Sequence, residues 1–215
     1  YNDAFFKASI DGGRPDSCPC NWKEVVYLAN LKEFEALNLS TDVLKALEGM
    51  NIHTPTTVQQ ETIPLMMAGR DIIGIAPTGT GKTIAFGIPM LEYISLTEER
   101  VQEVVLAPTR ELALQITEDL KDASTVRQAR ILTVYGGVGY EPQLDALTAG
   151  VDVVVGTPGR LLDLVNRRAL DLSHVKVLVL DEADEMLDLG FLPDVDRLIA
   201  KTPASRQTLL FSATM

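Results

Sequence analysis

Cysteine and histidine are nearly absent from this chain, and no apolar run is long enough to span a bilayer. Two cysteines, Cys18 and Cys20, are too few for a disulfide framework, and two reduced thiols in a loop are the expected state. The only histidines, His53 and His174, stand far from them, so a four-ligand zinc site lacks its material. His53 is expected to be a surface or packing residue. Glu, Lys, Arg or Pro interrupts every hydrophobic stretch, which excludes a membrane-spanning helix. The first residues, Tyr1 to Lys7, lack the charged-then-apolar layout of a secretory signal, so a cytoplasmic protein is expected. A first residue of Tyr rather than Met fits an excised piece of a longer protein. There is no internal repeat and no low-complexity tract. Basic residues are in deficit, 19 Lys and Arg against 30 Asp and Glu, and the net charge of −11 argues against a footprint for long duplex DNA. Single strands stay possible, because a few arginines and helix N-termini can hold a backbone locally.

What remains is ample for one globular domain: 215 residues, 46% of them hydrophobic. Residues 1–33 read as a partly irregular extension, with turn composition from Asp11 to Cys20 and a short amphipathic helix over Trp22 to Leu31. From Phe34 the pattern becomes regular. Ser40-Thr41-Asp42 caps a helix running to about Met50, with Asn51 as a left-handed C-terminal residue. A second helix opens at His53 to Gln59 and is expected to break at Pro64.

The chain is organised around Asp71 to Phe86, where a short buried strand, Ile72 to Ile75, leads into Ala76-Pro-Thr-Gly-Thr-Gly-Lys-Thr83 and then a helix. Such a loop turns N–H groups inward, and the following helix adds free N–H groups and the positive end of its dipole. Lys82 can reach outer phosphates, and the Thr83 hydroxyl can ligate an accompanying Mg²⁺. The general pattern wants glycine where Ala76 stands, so Gly79 and Gly81, with Thr78 and Thr80 beside them, must supply the freedom.

Beyond the loop, strands are expected at Glu103–Ala107, Arg130–Tyr135, Asp152–Gly156, Lys176–Leu180 and Gln207–Phe211. Helices are expected at Ile84–Ile94, Glu111–Lys121, Glu141–Leu147, Gly159–Val165 and Pro193–Ala200. Short continuous Val/Ile/Leu strands alternating with helices mean an α/β fold, a parallel sheet covered on both faces. A chemically loaded cluster follows every strand: the phosphate loop, Pro108-Thr-Arg-Glu111, Gly136-Gly137, Thr157-Pro-Gly-Arg160, Asp181-Glu-Ala-Asp184 and Ser212-Ala-Thr214. In a parallel sheet all six gather at the carboxyl edge, where α/β folds bind ligands. Asp181 can hold Mg²⁺ opposite Thr83, and Glu182 can orient and deprotonate a water. The two Thr/Arg/Pro mouths can grip consecutive phosphates of one strand or act simply as helix caps. Ser212 and Thr214 can bond to the acidic loop.

Taken together, these motifs resemble the DEAD-box ATP-dependent RNA helicases of superfamily 2, in a bacterial-looking version, from Phe34 to the last residue. The resemblance implies a RecA-like, P-loop NTPase fold, with residues 34–215 as the first of two such domains. It implies that Gln59 reads the adenine edge and that Phe34 stacks on the base. Thr57 stands where many members have proline, and Asn51 where many have glycine. It implies phosphate and Mg²⁺ binding by Lys82 and Thr83, metal binding by Asp181 and general-base action by Glu182. Asp184, Ser212 and Thr214 would couple nucleotide state to RNA. Pro108, Thr109, Arg110, Gly137, Thr157, Gly159 and Arg160 would contact the backbone of single-stranded RNA, or of RNA melted from a duplex. The cofactors implied are ATP and Mg²⁺.

A second RecA-like domain, with its arginine fingers, is expected as a partner outside this chain, and the 215 residues alone are expected to bind nucleotide but hydrolyse it hardly at all. An RNA-binding adaptor that uses nucleotide only as a structural ligand is the competing reading. Lys82, Asp181 and Glu182 together disfavour it, since an adaptor needs no base. A DNA-directed motor is disfavoured by Gln59 and by Asp181-Glu-Ala-Asp184.

Overall fold

The structure, a computed structural model, describes residues 34–214. The loop, thiols and amphipathic helix expected within residues 1–33 lie outside the described residues, as does Met215.

A 3-10 turn at Phe34–Leu37 leads into α1 (Thr41–Gly49) and α2 (Thr57–Met67). Then follow β1 (Ile72–Ile75), α3 (Lys82–Tyr93), β2 (Glu103–Leu106), α4 (Arg110–Ala123), β3 (Ile131–Val134) and α5 (Glu141–Ala149). The chain continues through β4 (Val153–Gly156), α6 (Pro158–Asn166), β5 (Val177–Leu180), α7 (Ala183–Asp188), α8 (Leu192–Ile199) and β6 (Gln207–Ser212). The Ser40 hydroxyl accepts from Val43 N and caps α1, and Asn51 adopts φ 57° after it, as the short polar side chain allows.

All six strands pair in parallel, in the order β1-β6-β5-β2-β4-β3. Alternate residues of one strand serve opposite layers. Val105 faces a core with Phe86, Ile88, Ile116, Leu120 and Phe211, while Val104 and Leu106 face Leu161, Leu164, Val195 and Leu198. The first core is roofed by α1 to α4, the second by α5 to α8. Burial on both faces is why the strands read as unbroken apolar runs. On the second face the sheet is left partly open beside β1: Ile73 is 62% exposed, and with Ile75, Leu180, Leu187 and Leu210 it lines a groove of about 530 Å³.

One expectation about the helices is corrected. α2 does not break at Pro64; it runs through to Met67. Proline removes only its own N–H rung, and Ile63 and Met66 on either side are fully buried. Packing of this helix on α3 and β1 therefore outweighs one lost bond, and Ala68 N still donates to Pro64 O at 3.0 Å.

Hydrogen bonding between strands continues one residue past each relevant strand end. Ala76 N donates to Ser212 O, Ala107 N to Gly156 O, Thr157 N to Val134 O and Asp181 N to Leu106 O, all at 2.9–3.0 Å. The ladder thereby fixes the first residue of the adjoining clusters on a single rim.

Candidate functional site

The glycine-bearing loop leaves β1 at Ala76, whose methyl group is fully buried against Val58 and Ala85. Ala76 still belongs to the ladder, so it needs no unusual backbone, and alanine is tolerated there. The turn is made further on, by Gly79 at φ 81° and Gly81 at φ 85°. Thr80 Oγ1 donates to Pro77 O at 2.8 Å and closes the loop from inside. Gly81 occupies the N-cap of α3 and brings no capping side chain, which leaves the first N–H groups of that helix facing the loop. An uncapped helix start beneath a glycine turn is an anion site on physical grounds.

Lys82 and Asp181 meet at the floor of this loop. Lys82 Nζ lies 3.6 Å from Asp181 Oδ1 and donates to Ala76 O at 3.2 Å; both side chains are at most 5% exposed. The strands that lead to them, β1 and β5, are not neighbours. β6 lies between β1 and β5, and the contact exists because the long lysine stem reaches across the end of β6. Burial raises the Asp181 carboxyl above its ordinary value, against the lowering effect of the Lys82 charge and the Glu182 N–H.

Among the described residues no group of three or more His, Cys, Asp and Glu could hold a metal by itself. Mg²⁺ in phosphate sites takes one or two carboxylates and draws its remaining ligands from phosphates and water. Asp181 and the Thr83 hydroxyl are the protein atoms that fit. Burial raises the Asp119 carboxyl on α4 above its ordinary value, and the nearby Thr83 hydroxyl works against that rise; the sequence pattern did not single out Asp119.

Glu182 follows with φ 52°, ψ 51°, a left-handed conformation that costs a non-glycine residue about 1–2 kcal/mol. The turn swings its side chain away from the strand while its N–H donates to Asp181 Oδ1 at 3.0 Å. Burial first, then a hydrogen bond with Glu185 and the Asp181 charge, push its pKa up to about 7. A carboxylate so tuned is a competent base near neutral pH.

Asp184 acts as a latch. Its Oδ2 accepts from Thr214 Oγ1 at 2.7 Å, Thr214 N at 3.0 Å and Ala213 N at 3.2 Å. Ser212 Oγ donates to Thr214 O and accepts from Thr214 N at 3.2 Å, which braces the residue that Asp184 holds. Burial works to raise the Asp184 pKa, but these bonds outweigh it and hold the carboxyl below its ordinary value. Of the two hydroxyls expected to pair with the acidic loop, Thr214 bonds to Asp184 directly, while Ser212 bonds to Thr214.

Gln59 is tied to the phosphate loop. Its Nε2 donates to Gly81 O at 3.2 Å and its Oε1 accepts from Thr56 N at 3.0 Å. Thr56 completes a capping box at the start of α2 and also donates to Thr80 O at 2.9 Å. Thr56 is a residue that sequence reasoning missed, although a Thr three residues before a Gln is the signature of such a box. Phe34, expected to stack on a base, is 4% exposed and belongs to the core cluster that also holds Leu37 and Val43.

The remaining clusters line the same rim at β2, β4 and β3. Pro108 and Pro158 are buried, whereas Arg110, Gly137 and Gly159 are exposed and Arg160 is half-buried. The Thr109 hydroxyl accepts from Leu112 N at 3.3 Å, so it serves as a helix cap; Thr157 makes no such bond. Arg110 lies over the Tyr135 ring at 4.5 Å and Arg160 over the Tyr140 ring at 4.2 Å. No helix among the described residues is long and apolar enough to cross a membrane.

Residues 56–215 match the family profile described as DEAD/DEAH box helicase. The chain is 50% identical over 182 residues to the DEAD-box ATP-dependent RNA helicase CshA of Geobacillus kaustophilus, covering 85% of this chain and 39% of that protein. It is 51% identical over 183 residues to the Streptococcus pneumoniae protein of the same name, covering 85% and 35%. Among solved structures, a DEAD box protein from the hyperthermophile Methanococcus jannaschii superposes with a TM-score of 0.83 at 40% identity, covering 86% of this chain and 50% of that one. The chain thus spans well under half the length of the curated relatives it matches.

Proposed function

Because the chain belongs to the DEAD/DEAH box helicase family, we propose that residues 34–215 form the nucleotide-binding RecA-like domain of an ATP-dependent RNA helicase, working in the cytoplasm. The observation that carries this reading is the buried Lys82–Asp181 contact at the floor of an uncapped, glycine-turned helix start. A lysine and a carboxylate buried together beneath a glycine turn supply the charges that a phosphate and its metal require.

In this reading the triphosphate of ATP enters the turn at Gly79 and Gly81, and Lys82 leaves the Ala76 carbonyl to bond its outer oxygens. Asp181 and Thr83 hold Mg²⁺, which when bound neutralises charge building up on the phosphates. Glu182 takes a proton from water as the water oxygen bonds to the γ-phosphorus and the β–γ bridging bond breaks, yielding ADP and phosphate. Gln59, already bonded to Gly81, reports on the adenine edge with its remaining N–H and lone pair. Asp184 links the site to Ser212 and Thr214, whose release or retention couples nucleotide state to RNA. The backbone of single-stranded RNA lies along Arg110, Gly137, Thr157, Gly159 and Arg160, with Pro108 and Thr109 shaping the first mouth. Contacts of this kind are independent of sequence.

Pro77, Thr78 and Gly79 on the outer rim are exposed. A partner domain bearing an arginine finger, worth ~10³–10⁵ in rate, would complete the site there. The 215-residue polypeptide by itself is accordingly expected to bind ATP or ADP and to turn over very slowly.

Calorimetry with ADP and ATP on this polypeptide tests the binding half, and Glu182→Gln in a two-domain protein tests the chemistry. The substitution should preserve nucleotide affinity and lower RNA-stimulated hydrolysis by about 10²–10⁴. Absence of any nucleotide binding by the wild-type chain would overturn the assignment. Loss of binding along with hydrolysis in Glu182→Gln would remove Glu182 from the role of base.

A further inference from the structure

Both arginines at the strand ends are held before any ligand arrives. Two N–H groups of Arg160 are engaged: Nη2 donates to Val138 O at 2.9 Å and Nη1 to Gln143 Oε1 at 3.4 Å. The flat face of its guanidinium rests on Tyr140. Tyr140 is fixed in turn, since its hydroxyl donates to Asp163 and Arg167 stacks on the ring at 4.2 Å. Arg167 Nε also donates to Asp163 at 3.1 Å, which closes a small circuit. Gln143 is 5% exposed, and its Nε2 donates to Tyr135 O at 3.2 Å. Tyr135 is the residue whose ring lies under Arg110. A buried amide therefore joins the two arginine mouths, one end on Arg160 and the other on the backbone beneath Arg110.

We infer that Gln143 and Tyr140 are positioning residues for strand binding: they pre-set the Arg160 guanidinium, and through Tyr135 the Arg110 guanidinium, for phosphates of a single strand. This rests on the reading of that rim as the RNA track. Arg160 keeps three of its five N–H donors for a phosphate, enough for a bidentate grip. A free arginine loses much rotamer freedom when it is immobilised by a ligand. Here that ordering is complete in the folded protein, so it is not subtracted from binding. Neither residue touches the strand. Their effect passes entirely through the arginines, and neither removes a charge when replaced.

The test is RNA affinity as a function of salt, read by fluorescence anisotropy with a short labelled oligouridylate and the 215-residue chain. Arg160→Ala should weaken binding and reduce the slope of log affinity against log salt by about 0.7, the value for one single-strand phosphate contact. Gln143→Ala and Tyr140→Leu should weaken binding about threefold to tenfold with the slope unchanged, because the charge is still present but no longer held. Tyr140→Phe keeps the ring but loses the bond to Asp163, and should fall between wild type and Tyr140→Leu.

A readout within the folded protein accompanies this. The Arg160 Nη–H resonances, bonded to Val138 O and Gln143, should be resolved and slow to exchange in wild type, and should collapse to the solvent-exposed position in Gln143→Ala and Tyr140→Leu. If Arg160→Ala weakens binding while Gln143→Ala and Tyr140→Leu match wild type in affinity and in the Nη–H signal, the positioning role is overturned. If Arg160→Ala itself leaves affinity and slope untouched, the rim is not the RNA track and the reading beneath the inference fails.

Discussion

Replacing Gly81 by alanine separates two demands placed on one position. Its φ of +85° is costly for any L side chain, and an added Cβ would stand 2.5 Å from Gln59 Nε2. The backbone term is about 1–2 kcal/mol. Gln59 could swing clear, but it is 3% exposed and bonded at both ends of its amide, to Gly81 O and from Thr56 N. Losing both bonds adds roughly 1–3 kcal/mol, at about 0.5–1.5 kcal/mol each. Gly81→Ala should therefore lower the unfolding free energy by about 2–5 kcal/mol in the wild-type background. In a Gln59→Ala background the clash and the bonds are already gone, and only the backbone term of about 1–2 kcal/mol should remain. Urea denaturation of the four proteins, with m-values checked for equality, measures the difference as a coupling of roughly 1–3 kcal/mol. Additivity within about 0.5 kcal/mol would refute the claim that Gln59 and the glycine-bearing loop are mechanically joined.

Two further outcomes follow from groups away from the loop. Glu103 is fully buried at the start of β2, neither carboxyl oxygen meets a protein hydrogen-bond donor, and burial raises its pKa well above 4.5. A raised carboxyl binds its proton more tightly in the folded state, so its stabilising contribution is complete below pH 4.5 and is lost as pH climbs through the folded value. The stability of Glu103→Gln relative to wild type should accordingly increase between pH 5 and pH 8, measured by denaturant unfolding at each pH; a difference constant with pH would show that Glu103 is not held protonated. Asp184→Ala removes the acceptor of three bonds to residues 213–214. It should speed amide exchange at Ala213 and Thr214 while global stability falls by only about 1 kcal/mol, and unchanged exchange there would dissolve the latch.

How much of this molecule is legible without coordinates varies by residue. The strand positions and all six rim clusters follow from apolar runs and from the residues that punctuate them, because burial on two faces leaves an unambiguous pattern. Lys82 and Thr83 were identifiable for a similar reason: a glycine turn ahead of a helix is local chemistry. Pro64 misled, since a breaker acts locally whereas Ile63 and Met66 are held by distant partners. The burial of Phe34 was hidden for the same reason.

Strand order carries no local signature. Parallel ladders are built from backbone groups that every residue shares, and nothing within β1 or β5 records that β6 will lie between them. Long-range packing alone seats Lys82 across that gap within 3.6 Å of Asp181, binds Gln59 to Gly81, and stacks Arg160 on Tyr140. Residue types and their spacing declare which chemistry the chain can host. The distances that make it one site arise from contacts between segments far apart in the chain, where the free energy of burial, and not any propensity of a short stretch, sets the geometry.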